Sequence, residues 1–324
     1  MKRTLTIVLT AVLLGLPAFA QTATGSRTPV VKETIAFAEK GGRTLYLDKY
    51  ETVYPESAEP RPVVLFAFGG GFYTGDRAYE GHLPYFEFLA RNGFVVLSTD
   101  YRTMLKELDT DSIKSPVDFL EVLQGAIDTA VVDFCDAARF AIEHSDEWNI
   151  DPTLMVASGS SAGAITALQA EYDICNGRYT VARLPEDFNF AGVVSFAGAI
   201  SNKKKLDWNS RPCPIMLFHG NADTTVPYRK AHIAGLGGLW GSASIVKSLE
   251  RIDSPYDFHI VANASHEIAG IPMKYNLHDI MAFLSRQVLG EKPLAVTTVE
   301  AAPGAPTKEK RFTILDYLKT NTRR

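Results

Sequence analysis

Residues 154–163 read Leu-Met-Val-Ala-Ser-Gly-Ser-Ser-Ala-Gly, an apolar run that enters Gly159-x-Ser161-x-Gly163 and meets the helix-forming stretch 164–171 at once. Few folds accommodate such a junction. A serine on a sharp strand-to-helix turn needs neighbours without side-chain bulk, and the glycines on either side supply them. The hydroxyl then stands exposed at a strand end, with a helix N-terminus facing any negative charge that develops there. Ser161 is therefore the candidate nucleophile.

Such a nucleophile needs two partners, because a serine hydroxyl attacks poorly until an imidazole takes its proton and a carboxylate fixes that imidazole's tautomer. The chain offers them in the order Ser, Asp, His. An apolar strand at 214–218 runs into His219-Gly-Asn-Ala-Asp223, which sets Asp223 in a loop just past a strand end. A later strand at 256–261 leads to Ala262-Asn-Ala-Ser-His266, which sets His266 on a comparable loop. Asp223 is the expected orienting acid and His266 the expected general base. Upstream, the apolar run 63–68 ends in Gly69-Gly70-Gly71. A tetrahedral intermediate carries an oxyanion that needs preorganised N–H donors, each worth roughly 3 kcal/mol. Gly70, Gly71 and Ala162, the residue after the nucleophile, are the candidates.

Elsewhere the chain alternates strand and helix. A hairpin is expected at 34–38 and 44–50, turning through Gly41-Gly42. Strands follow at 63–68, 94–99, 153–158, 191–196, 214–218 and 256–261. Helices are expected at 79–92, 124–146, 162–172, 243–251 and 276–289. This pattern predicts an α/β fold with a mostly parallel central sheet and helices on both faces. Ligands in such sheets bind beyond the carboxyl ends of the strands, where Gly70, Ser161, Asp223 and His266 all fall.

On these residues the sequence resembles the α/β-hydrolase superfamily, specifically its carboxylesterase/lipase type with an HGGG-like oxyanion loop. The resemblance spans roughly residues 32–289 and includes 95–102, which ends in Asp100-Tyr101-Arg102 and is similar to a strand-plus-Tyr-Arg signature of such esterases. The loop departs from the pattern in beginning with Phe68 where relatives place histidine, so packing must hold it in place of an imidazole hydrogen bond. The resemblance implies hydrolysis of carboxylic esters through an acyl-enzyme, without a cofactor. Acetyl or feruloyl esters on polysaccharide are among the substrates it admits. Two other readings share the features: a serine peptidase of prolyl-oligopeptidase type, for whose usual propeller domain the chain has no room, and a non-catalytic binding module on the same scaffold.

A chain of 324 residues with 46% hydrophobic content can bury one large core. Its formal net charge of −4 gives no hint of nucleic acid as a partner, and the run 203–205 of three lysines reads as a solvated turn. No Cys/His spacing suggests a metal. Residues 1–20 read as a signal peptide, with Lys2-Arg3, the apolar stretch 4–16 and Ala18-Phe-Ala20 before Gln21. That predicts a secreted or periplasmic protein with no stable membrane insertion after cleavage, acting on a small-molecule or polysaccharide-linked ester. In an oxidising compartment Cys135, Cys175 and Cys213 allow at most one disulfide, with Cys135–Cys175 the favoured pair and three buried thiols the alternative. The hydrolase domain is expected over 21–290, with 291–324 an Ala/Pro-rich linker and a mobile basic tail that includes a short element at 311–318. Among the other histidines, His219 is expected to hydrogen-bond the acid loop. Asp76 is the rival acid or substrate contact. Phe72, Tyr73 and Trp240 could line the pocket, and segments 103–122, 172–189 and 231–242 could overhang it.

Overall fold

Valine, leucine and phenylalanine runs without polar interruption suit strands covered on both faces, and they build the centre of the sheet. The computed structural model describes residues 28–53, 59–108, 113–290, 292–301 and 309–322, so the leader at 1–20 lies outside the described residues. In chain order the elements are β1 (Val30–Lys40), β2 (Arg43–Thr52), β3 (Arg61–Ala67), α1 (Leu83–Arg91), β4 (Val95–Thr99), α2 (Pro116–Glu143), α3 (Ser145–Trp148), β5 (Ile150–Ser160) and α4 (Ala162–Asn176). There follow β6 (Gly192–Phe196), β7 (Ala199–Asn202), β8 (Ile215–Gly220), β9 (Lys230–Ile233), β10 (Gly237–Gly241), α5 (Ser242–Glu250), β11 (Tyr256–Val261), α6 (Pro272–Tyr275), α7 (Leu277–Phe283), β12 (Ala295–Glu300) and α8 (Ile314–Thr322).

Nine strands form one sheet in the order β1-β2-β4-β3-β5-β6-β8-β11-β12. The β1–β2 hairpin joins β4 antiparallel, and every other pairing is parallel. The sheet is the mostly parallel, helix-covered one predicted. Residues Val63–Ala67 of β3 and the Met155–Ser160 end of β5 are buried. Helix α2 packs on α4, while α1 packs on α6 and α7. The strand ends that carry Gly69, Ser161, Asp223 and His266 thus share one edge of the sheet.

Five expectations need correcting. Helix α2 begins well before residue 124, because Ser115 caps it, its Oγ accepting from the Asp118 N–H at 3.2 Å, and Pro116 opens the first turn. The stretch 231–242 is no loop: β9 and β10 pair with β7 as a small antiparallel sheet. Residues 295–300, expected within a linker, form edge strand β12, in parallel register with β11 from Tyr256↔Ala295 to Val261↔Glu300. Composition hides this strand because all six of its side chains are exposed and only its backbone is engaged. The end of the chain is docked by helix α8 and the residues before it, which bury Phe312, Ile314 and Tyr317. The three cysteines are buried free thiols, so the favoured Cys135–Cys175 bridge is not formed. Two of them surround Glu171, whose Oε1 takes the Cys213 N–H at 2.8 Å and the Cys175 thiol at 3.4 Å.

Candidate active site

Ser161 sits at φ 51° and ψ −114°, a backbone conformation that L-residues seldom adopt and that costs on the order of 1–3 kcal/mol. The strain survives because the turn is fixed around it. A Cβ on Gly159 would stand 2.3 Å from the backbone of Gly163, and one on Gly163 would stand 2.0 Å from the Ala67 carbonyl oxygen. The Ser161 N–H donates to the Phe196 carbonyl on β6 at 2.9 Å. Both glycines are therefore steric requirements of close backbone approach.

His266 follows β11, and its loop is stitched to the acid loop after β8. The Ala222 N–H donates to the Ala264 carbonyl at 3.0 Å, and the Thr224 N–H donates to Ser265 Oγ at 3.2 Å. Gly220 ends β8 where a Cβ would come within 2.4 Å of the Ala264 carbonyl oxygen, so glycine lets the two loops meet. The structure brings the three expected side chains together. Ser161 Oγ lies 2.8 Å from His266 Nε2, and His266 Nδ1 lies 2.8 Å from Asp223 Oδ2.

Asp223 is buried, which by itself would raise its pKa. Hydrogen bonds and charge from His219 and His266 outweigh that burial and hold the carboxyl well below its ordinary range. Its Oδ1 also accepts the N–H groups of Thr225 at 2.7 Å and Val226 at 3.0 Å. An ionised Asp223 accepts a hydrogen bond from the N–H at His266 Nδ1, which leaves Nε2 as acceptor for the Ser161 hydroxyl. His219 reaches the acid itself. Its Nε2 is 3.3 Å from both Asp223 Oδ2 and the Val226 carbonyl, and its Nδ1 is 2.7 Å from Ser242 Oγ. Two acceptors at Nε2 require the proton there, so Nδ1 accepts from Ser242. Sequence reasoning expected a contact with the acid loop at His219 but not a link from Ser242 to the acid.

Opposite the serine, the strand β3 ends in the glycine loop. Gly70 has φ 131°, and a Cβ there would stand 2.0 Å from the Thr74 carbonyl oxygen; Gly71 has φ 64°. Phe68 stacks on Tyr101 with ring centroids 4.4 Å apart, and the Tyr101 hydroxyl donates to the Phe68 carbonyl at 2.8 Å. Arg102 then clamps Asp133 of α2 with paired hydrogen bonds of 2.8 Å, so the Tyr-Arg pair ties loop, strand and helix together. Among the described residues, the N–H groups of Gly70, Gly71 and Ala162 meet no protein acceptor.

Ser161 and His266 open into a cleft of about 610 Å³ whose wall mixes polar and apolar groups. Gly70 and Gly71 line it, whereas Ala162 lies behind Ser161 at the start of α4. Hydroxyl-bearing Tyr73, Thr74, Tyr79, Thr225 and Thr320 line it too, with His82 and Asp76. Of the three aromatic residues expected here only Tyr73 reaches the cleft. Phe72 is buried beneath the glycine loop against Tyr101, and Trp240 lines a second cleft. Asp76 lines the wall but accepts from the Ala78 N–H at 2.7 Å and pairs with no histidine among the described residues. Among the described residues the segments 103–122, 172–189 and 231–242 contribute nothing to this wall, whereas residues 73–82 and α8 do. Thr320 could not be foreseen, since it depends on a docked chain end. Among the described residues no group of His, Cys, Asp and Glu is arranged to hold a metal, and no helix is long and apolar enough to cross a membrane.

A family model called BD-FAE matches residues 50–209. A curated relative, a probable isoprenylcysteine alpha-carbonyl methylesterase of Arabidopsis thaliana, is 21% identical over 83% of this chain, which spans 58% of that protein's length. Among solved structures, the propionate-bound thermophilic esterase Est2 of Thermogutta terrifontis superposes with a TM-score of 0.58 at 21% identity, over 79% of this chain and 94% of that one. The apo form of the same esterase gives 0.57 at 20% identity, over 86% and 99%.

Proposed function

From the α/β-hydrolase fold it shares with solved esterase structures and the BD-FAE match over residues 50–209, we propose that the chain is a serine hydrolase of carboxylic esters with Ser161, His266 and Asp223 as its triad. The observation that carries this reading is the unbroken hydrogen-bonded chain from Ser161 Oγ through both nitrogens of His266 to a carboxylate held ionised. Ser161 Oγ attacks the ester carbonyl carbon while its proton passes to His266 Nε2. The oxyanion that forms takes the N–H groups of Gly70, Gly71 and Ala162. Collapse of the intermediate breaks the carbon–oxygen bond to the alcohol, which leaves with the proton from His266. Water then attacks the acyl-enzyme by the same route and frees the acid.

The hydroxyl-lined wall suits an alcohol portion rich in hydroxyls, so acetyl or feruloyl esters of polysaccharide are the substrate class proposed. The leader sequence supports export, which N-terminal sequencing of the mature protein from Gln21 would test. The activity is tested with 4-nitrophenyl esters set against aminoacyl anilides. Ester turnover that disappears in Ser161→Ala supports the proposal; turnover of anilides alone would make the chain a peptidase, and silence on both a binding module.

A further inference from the structure

A second cleft, of about 790 Å³, lies where β9, β10 and α5 meet the segment leading into α8. Seven of its fourteen lining residues are Lys or Arg and none is Asp or Glu, in a chain whose formal net charge is −4. The cations come from four separate stretches, with Lys205, Arg229, Lys230, Lys247, Arg251, Lys310 and Arg311 all exposed. Sequence reading found no basic stripe because folding alone gathers them. Arg229 is paired with Glu309. Among the described residues the other six form no ion pair with a carboxylate, and only the more distant Asp316 is felt by Lys310, so like charges face one another around a concavity with little to neutralise them. Such an arrangement is unfavourable in isolation and becomes favourable when an anion enters.

The same residues narrow the kind of anion. Trp240 and Phe312 line the cleft, but both rings are buried, with Lys230 Nζ 5.4 Å from one centroid and Lys310 Nζ 5.5 Å from the other. Their faces are covered, so no aromatic platform is free to stack a base, as single-stranded nucleic acids require. The site is concave and its rim carries no large apolar side chain to enter a bilayer. A flexible, hydrophilic chain bearing carboxylates fits these walls.

Position connects this cleft to the catalytic one. Thr313 lines the basic cleft and Thr320 lines the active-site cleft, seven residues apart along α8 and its first turn, or about 10 Å at 1.5 Å per residue. Thr225 and Arg229 make the same link along the acid loop. We propose that the basic cleft is a subsite for acidic glycan, holding the uronate-bearing stretch of an esterified polysaccharide while an ester on a neighbouring sugar reaches Ser161. This rests on the esterase reading for its purpose, though not for its binding chemistry.

The test uses the whole protein with unesterified oligogalacturonate, which binds without turnover, and a neutral xylo-oligosaccharide of equal length. Calorimetry at low salt should show binding of the acidic chain alone, weakening as salt rises. The double variant Lys247→Glu/Arg311→Glu, at two exposed side chains that hold no other element in place, should weaken that binding at least tenfold. It should also raise KM for partially acetylated polygalacturonate and leave hydrolysis of 4-nitrophenyl acetate unchanged. Equal binding of neutral and acidic chains, an unaltered double variant, an unmoved KM, or tighter binding of a single-stranded oligonucleotide or of anionic vesicles would overturn the subsite. Failure of wild-type protein to hydrolyse 4-nitrophenyl acetate would instead strike the esterase reading, and calorimetry would still judge the cleft.

Discussion

Ser161 stores strain that its chemistry requires. Replacing it with alanine should lower kcat for a 4-nitrophenyl ester by about a millionfold while leaving the melting temperature nearly unchanged, since triad members fail as a unit. Ser161→Gly should be equally inactive yet melt about 2 °C higher, because glycine accepts φ 51° without penalty and about 1 kcal/mol of strain is released. A glycine variant that melts at or below the wild type would show that the turn is not strained. Gly70 tests the other side of the cleft. A methyl group there collides with the Thr74 carbonyl, so Gly70→Ala should shift the loop and lower kcat about a hundredfold with KM moving far less. Normal kcat in that variant would place the oxyanion donors elsewhere. His219 acts one step back, through Asp223. His219→Phe removes the hydrogen bond from the acid and should lower kcat about tenfold with little change in KM. An effect on melting temperature alone would reduce His219 to packing.

Elements that announce themselves by buried side chains were legible in the sequence, and those held by other means were not. The inner strands β3, β5, β6 and β8 read directly from apolar runs, and so did the loops at their ends that carry Ser161, Asp223 and His266. β12 was illegible because its side chains face solvent and its stability comes from a backbone ladder. Trp240 was misplaced because a glycine-rich stretch, 235–241, reads as loop until its pairing with β7 and β9 is seen. At the chain end a short element was legible at 311–318, but not its docking, because two turns of helix beyond an Ala/Pro-rich stretch do not say what Phe312, Ile314 and Tyr317 pack against. Their burial nevertheless predicts that Tyr317→Ala destabilises the protein by about 3 kcal/mol. Thermal unfolding decides this, and an unchanged melting temperature would mean that α8 contributes nothing to the core.

At the scale of the whole molecule, acid stability depends on groups that the fold keeps in one charge state. His82 is buried among Phe66, Tyr79 and Phe86, and desolvation pushes its pKa down to about 4 from the ordinary 6.5. Between those values the unfolded chain binds a proton that the folded one refuses, so stability rises with pH across this window. The contribution is complete above about pH 6.5, is lost as pH falls toward 4, and amounts to about 3 kcal/mol at 1.36 kcal/mol per pH unit. Asp223 works in the same direction but at lower pH, because its carboxyl is held below the ordinary range and must be protonated before its contribution disappears. Glu171 and Asp173 oppose it: burial raises both, so the folded state holds their protons more tightly and their effect disfavours folding as pH rises through the acid range. Melting temperature measured from pH 7 down to pH 4 should therefore fall steeply below 6.5 in the wild type. His82→Leu, close in volume and unable to ionise, should flatten the curve in that interval while leaving the decline below pH 4 in place. Parallel curves for the two proteins would show that His82 is protonated in the folded state and that other groups set the acid limit.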